Sequence, residues 1–166
     1  LLASCTAETA PVKPAPADDS SARIRELEAE VAQLRGELFA MQIKAAPADR
    51  VVSLLRDGLR SPTSEVRIAA IRAIAALPDP KPYLDDVVSC LDGGNTACRV
   101  TAIEFIARFP EAQKTLAFAA RDPAPEVRRA VAGALRDFVV LRMMLEDKDD
   151  GVVEKAIDSL GVIGDN

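Results

Sequence analysis

The sequence predicts an all-α chain: an N-terminal disordered tether, a coiled-coil helix, and then an α-solenoid of about four helical hairpins. Three observations predict it. Apolar residues make up 49 % of the 166 positions but aromatic residues only 4 %, so Ala, Leu, Val and Ile carry the apolar content, as packed helices favour. Between Ile24 and Met41 large apolar residues alternate at spacings of three and four, the heptad rhythm of a paired helix. Beyond Pro47 an apolar spacing of four, four and three occurs four times over, which traces one face of a helix each time.

Composition narrows the function. The chain contains no His, so imidazole is unavailable as base, proton shuttle or metal ligand. That excludes Ser-His-Asp and Cys-His catalysis and nearly every zinc site with nitrogen ligands. With 21 Lys and Arg against 26 Asp and Glu the formal charge is −5, and there is no Trp and one Tyr. Such a chain lacks both the positive field and the stacking platform that nucleic acid needs. There is no Gly-rich phosphate loop and no converging acid–base set. An interaction or structural protein is expected, with no enzymatic activity and no cofactor.

The first residues, Leu1-Leu2-Ala3-Ser4-Cys5, begin without Met, as a fragment of a precursor would. Leu-Ala-Ser-Cys resembles the lipobox of bacterial lipoprotein precursors. The resemblance implies cleavage before Cys5 and acylation of its thiol, with residues 1–4 the remnant of a signal peptide. Residues 5–22 hold Pro11, Pro14 and Pro16 among Ala and polar residues, too little apolar surface to fold, and read as a flexible tether. Lipoproteins of this kind carry several acyl chains, which firm anchoring requires. Thr6 is not the Asp associated with inner-membrane retention, so the expectation is the bacterial cell envelope, at an outer membrane facing the periplasm. No run of 18 apolar residues occurs, so no segment reads as spanning a bilayer.

Residues 23–45 form the heptad helix. Ile24, Val31 and Leu38 fall at a, and Leu27, Leu34 and Met41 at d. In a parallel pair Arg23 would face Glu28 of the other chain and Glu30 would face Arg35, both attractive. β-Branched a residues with Leu at d favour a dimer, and a trimer remains compatible. Gly36 falls at f and is expected to face solvent at a cost of about 1 kcal/mol in helix propensity, while Asp18 to Ser21 supply capping side chains. Fewer than three heptads are marginal for a free-standing coiled coil, so docking of the stripe onto the following domain stands beside self-association.

Residues 48–166 align as four units. Val66, Cys98, Val127 and Val152 mark position zero; Ala70, Ala102, Val131 and Ala156 stand at +4; Ile74, Ile106, Leu135 and Leu160 at +8; Leu77, Phe109, Phe138 and Ile163 at +11. Leu59, Leu91, Ala120 and Leu145, seven residues upstream, each close a preceding apolar segment. Every unit therefore reads as helix, turn, helix, punctuated by Pro62, Pro78, Pro80, Pro82, Pro110, Pro123 and Pro125. The interval between the last two units is the shortest, leaving almost no loop at Asp137-Phe138. One hairpin cannot bury both faces, but stacked hairpins share a core.

The pattern Asp-x-x-x-x-Val-Arg-x-x-Ala resembles HEAT repeats, and most the short HEAT-like repeats first noted in phycobilisome lyase subunits. Asp122-Pro123-Ala124-Pro125-Glu126-Val127-Arg128-Arg129-Ala130 matches best, and Ser159-Leu160-Gly161-Val162-Ile163-Gly164-Asp165 looks like the helix end of that family. The second unit departs, with Gly93 for the Asp and Cys98 for the Val, and the fourth has Val153 for the Arg. The resemblance implies an α-solenoid whose second helices line a concave protein-binding face. It also implies that the Arg after position zero (Arg67, Arg99, Arg128) pairs with the Asp of a neighbouring turn, here Asp122 or Asp147, in a ladder that fixes stacking.

The last 22 residues hold seven acids and two bases, the whole net charge. From Asp147, the sixth residue is Val152 and the twelfth Asp158, which fails the Ca²⁺-loop pattern; no metal site is expected. Cys90 and Cys98 flank one turn. A disulfide would clamp that hairpin; alternatively Cys98, at a core position, is a small hydrophobe. Together these features read as a membrane-anchored adaptor: lipid on Cys5, a homodimer or trimer through residues 23–45, and a solenoid that binds another protein. The alternative is a structural or assembly subunit of a larger envelope complex.

Overall fold

In a computed structural model, the chain is described from residue 19 to residue 164. Among the described residues all regular structure is helical. The helices are α1 (Asp19–Ala45), α2 (Ala48–Leu59), α3 (Ser64–Ala75), α4 (Leu84–Val88), α5 (Thr96–Ile106), α6 (Gln113–Ala119), α7 (Pro125–Ala134), α8 (Phe138–Met144) and α9 (Asp150–Gly164). Short 3₁₀ turns at Lys81–Tyr83, Ser89–Asp92 and Pro110–Ala112 lead into or out of α4 and α6. The signal remnant, Cys5, most of the tether and Asp165 lie outside the described residues.

The helices pack in two rows. α3, α5, α7 and α9 stack successively on one another, while α2, α4, α6 and α8 each lie against the partner that follows. The expected core positions account for this. Ala70, Ala102, Val131 and Ala156 are all fully buried, as are Ile74 and Ile106. Ala at three of those four places lets neighbouring helices approach closely, so one apolar core runs through every hairpin.

Phe138 departs from its expected place. The +11 position extends the second helix of the third unit, but α7 stops at Ala134 and Leu135 is already extended (φ −75°, ψ 141°). Asp137 then caps a new helix, its Oδ1 accepting from the Val139 and Val140 amides. Phe138 therefore opens α8 and is half exposed. A 25-residue interval leaves no room for both a long α7 and a loop.

The heptad helix begins at Asp19, four residues before the expected boundary, so Ser20 and Ser21 are helical and not capping residues. It packs chiefly on α3 and also touches α2. It thus continues the row of second helices, as half of a further hairpin. The docked face is not the heptad seam. It is built from Gly36 and Phe39, both buried, with the half-buried Ala32 and Ile43. Gly36, expected at a solvent-facing position, lies where a Cβ would stand 3.0 Å from the Glu65 carbonyl oxygen. Its lack of a side chain lets α1 cross the start of α3. Gly58 plays the same part on α2: a Cβ there would run into the Phe39 ring, whose Cε1 stands only 2.7 Å from that point.

Candidate functional site

Three features stand out from the packed body. The first is the α1 seam. Ile24, Leu27, Val31, Leu34, Leu38 and Met41 are each 42–59 % exposed. At 100° per residue they centre roughly 150° round the helix from the docked face. Two apolar faces therefore share one helix, and only one is covered by the described residues. Arg23, flanking the seam, pairs locally with Glu26 at 2.6 Å, an exposed contact of little energetic weight.

The second feature is the Arg/Asp ladder. Arg99 Nε and Nη2 donate to the two carboxylate oxygens of Asp122 at 2.7 and 3.0 Å. Arg128 holds Asp147 in the same two-pronged way at 2.7 and 2.8 Å. Arg128 also donates from Nη1 to the Asp122 and Pro123 carbonyls, so each rung is tied to the previous turn. Asp122 and Asp147 each accept the amide two residues on, from Ala124 and Asp149. The side chains of Arg128 and Asp147 are 7 % and 12 % exposed. Hydrogen bonds from Arg128 hold the Asp147 carboxyl below the usual carboxylate range. Burial pushes Asp122 up, but hydrogen bonds from Arg99 and Ala124 outweigh it, and its net shift is also downward.

The third feature is the rung that is missing. Asp122 and Asp147 stand five residues before position zero; in the second unit that place is Gly93. Arg67 consequently has no carboxylate. Its Nη1 donates to the Ser61 carbonyl at 2.6 Å and its Nη2 to Ser64 Oγ at 3.1 Å, while its buried Nε is without a hydrogen-bond partner. Ser64 Oγ also accepts the Asn95 amide at 3.1 Å. One neutral hydroxyl thus does the work that a carboxylate does in the other turns, and the guanidinium charge is left uncompensated.

Cys98 and Cys90 lie beside this guanidinium. Both are free thiols, 0 % and 4 % exposed. Cys90 Sγ is 3.8 Å from the Leu59 carbonyl oxygen. The neighbouring Cys90 thiol holds Cys98 below the usual thiol range, and Arg67 adds to that; burial and Glu65 oppose it. Cys98 and burial in turn push Cys90 up. Over Cys98 and the guanidinium runs the Gly93-Gly94 turn. Gly94 has φ +87°, and a Cβ there would come within 2.5 Å of Arg67 Nη2 and 3.2 Å of Cys98 Cβ.

Elsewhere, a shallow groove of about 530 Å³ runs over α5 and α7, with Glu104, Arg129 and Lys155 among its lining. No cluster of three metal-ligating side chains occurs among the described residues, and no helix there is long and apolar enough to cross a membrane. Of the expected site residues, Cys5 lies outside the described ones. Sequence reasoning missed Gly36, Phe39 and Gly58 as a packing key, and missed Arg67 as a cation facing thiols. The signal for the latter was present, since Gly93 and Cys98 both depart from the repeat in one unit. No family model matches the chain, and no curated protein matches it.

Proposed function

We propose that this chain is a non-catalytic interaction adaptor, a HEAT-like stack of hairpins held at the bacterial envelope by lipid on Cys5 and paired with a second copy through α1. The observation that supports it best is the uncovered seam. Six large apolar side chains at heptad spacing, all about half exposed, stand on the face of α1 turned away from its own body. A second copy complements them in charge as well as shape, because Arg23 meets Glu28 and Glu30 meets Arg35 in a parallel pair. Docking on α3 removes the nucleation cost that makes a short isolated heptad segment marginal, since the helix is already formed on the body. The groove over α5 and α7 then remains open to a further protein. The expected outer-membrane address and the HEAT family itself belong to this proposal.

Sedimentation equilibrium of the chain, with Leu27→Lys and Leu34→Lys as the variant, tests the pairing. A dimer in the parent and a monomer of unchanged helicity in the variant support it. A parent that is monomeric at tens of micromolar, or a variant that still dimerises, overturns it. For the anchor, Cys5→Ser is expected to leave the membrane fraction, and unchanged fractionation refutes it. A second reading, assembly subunit of a larger envelope complex, is favoured by the exposed Phe138, Val139 and Met143 on α8, which pairing through α1 leaves uncovered. Recovery from native membranes only in a large complex, with α8 crosslinked to a neighbour, selects it.

A further inference from the structure

We propose that Cys98 and Cys90 form a peroxide-responsive dithiol in which Cys98 is the attacking thiolate, Arg67 its counter-ion and Cys90 the resolving thiol. The broken rung sets these thiols apart. In two turns the ladder Arg is neutralised by an Asp held in two hydrogen bonds. In the second unit that Asp is Gly93, and the position-zero Val is Cys98. The unit that lacks the carboxylate is thus the unit that gains a thiol, and Arg67 Nη2 and Cys98 Cβ crowd the same point beside Gly94, 2.5 and 3.2 Å from where its Cβ would stand. Arg67 keeps a buried Nε with no hydrogen-bond partner, and Ser64 Oγ brings no charge. An anion is what the pocket lacks, and ionised Cys98 supplies it. The charged and titratable neighbours are Arg67 and Glu65 on α3, Asp86 on α4, Arg99 on α5 and Cys90 itself; of the two cations, Arg99 is already paired with Asp122.

Access selects the oxidant. Both thiols are buried even from water, so an oxidant enters only when the Gly93-Gly94 turn over Cys98 opens locally. Hydrogen peroxide, close to water in size, needs a far smaller opening than a bulky disulfide. The Cys98 thiolate attacks one peroxide oxygen; an S–O bond forms, the O–O bond breaks, and hydroxide leaves and is protonated to water. The product is a sulfenic acid on Cys98. The Cys90 sulfur then attacks Cys98 Sγ, forming the S–S bond, while the Cys90 proton leaves with the sulfenic hydroxyl as a second water. Two thiols lose two electrons and one peroxide gains them. The bond would staple the Ser89–Asp92 turn to the first turn of α5.

The test uses the full chain with Cys5→Ser, so that only this pair reports. Treatment with hydrogen peroxide at pH 7 is followed by mass spectrometry. The expected result is loss of two hydrogens and a Cys90–Cys98 crosslinked peptide. Adding Cys90→Ala should trap a dimedone-reactive sulfenic acid on Cys98, whereas Cys98→Ala should leave Cys90 unreacted. Gly93→Asp restores the carboxylate at the offset used by Asp122 and Asp147, and a Cβ at Gly93 meets nothing within 4 Å, so the fold is retained while Arg67 is diverted. It should slow crosslinking at least about tenfold, because an ordinary thiol is only a few per cent ionised at pH 7. Arg67→Gln, checked for native helicity, should do the same. Oxidation seen only in urea, sulfenic acid on Cys90 instead of Cys98, or an unchanged rate in a folded Gly93→Asp chain overturns the proposal.

Discussion

Removing one carboxylate from the ladder should cost far more than removing an exposed ion pair, and Asp147→Ala measures how much. Arg128 and Asp147 are joined by two hydrogen bonds of 2.7 and 2.8 Å, with side chains 7 % and 12 % exposed. Solvent therefore screens the pair little, and Arg128 loses the acceptor of its Nε and Nη2 once Asp147 is gone. Breaking a buried pair by deleting one partner costs about 3–5 kcal/mol. Arg128 keeps its two carbonyl acceptors, which places the expected cost at the lower end, about 3 kcal/mol. The Asp149 amide also loses its acceptor, but near the surface water replaces it. For a chain of this length about 3 kcal/mol corresponds to a Tm lowered by roughly 6–12 °C. Thermal unfolding followed by circular dichroism reads it directly. Arg129→Ala, which deletes a 3.2 Å pair with Asp149 that is 51 % and 30 % exposed, serves as the comparison and should shift Tm by no more than about 1–2 °C. The double variant Arg128→Met with Asp147→Ala should recover much of the loss, because no buried charge is then left alone. A drop under 2 °C for Asp147→Ala, or strictly additive effects in the double variant, would refute the reasoning.

Phe39→Ala should lower stability by about 3 kcal/mol and release α1 from α3, seen as new cleavage after Lys44 under mild trypsin or after Ala45 under elastase. Gly36→Leu should have a similar effect through the Glu65 backbone, although Leu is the better helix former by about 1 kcal/mol; a more stable Gly36→Leu would show that the close crossing carries no weight. Acid should act through the ladder. The Asp122 and Asp147 carboxyls lie below their ordinary range in the folded chain, so the stability they add is complete above the unfolded value near pH 4 and fades as pH falls through the folded values. Tm should thus be insensitive to these groups from pH 5 to 8 and decline below about pH 4. Asp147→Ala should make that decline shallower; an equally steep decline would place the acid sensitivity elsewhere.

Much of the fold was legible because the same physical requirement recurs. A second helix must present a small residue to its neighbour at one fixed offset, and Ala70, Ala102, Val131 and Ala156 display that offset four times. The Arg99 and Arg128 pairings were what the resemblance to HEAT-like repeats implied, an Arg at +1 against the Asp of a neighbouring turn, Asp122 or Asp147. What repetition hides is the exception within one unit. Arg67 matches the pattern in its own segment and loses its partner only through Gly93 in the next. The docked face of α1 was hidden for another reason. Its periodic apolar stripe is the exposed one, whereas the buried face is made by Gly36, Ala32 and a single large ring. Such a contact is defined by closeness of approach, and no run of large apolar residues announces it. Phe138 was misplaced because a spacing of three continues a helix as naturally as it crosses the break between two.

The ring of Phe39 over Gly58 has a consequence for how α1 is aligned. α2 offers a single glycine for that ring, and one turn in either direction would set it against Leu54 or Leu55 on one side and Pro62 on the other. The helix is therefore keyed to its own body by volume alone, and added salt should not shift that alignment. The opposite face of the same helix is different. In the proposed pair its match to another seam would be chosen by Arg23, Glu28, Glu30 and Arg35, all in water, where the Debye length is about 8 Å at physiological ionic strength. One rod would then carry a mechanical register on one side and a salt-tunable one on the other.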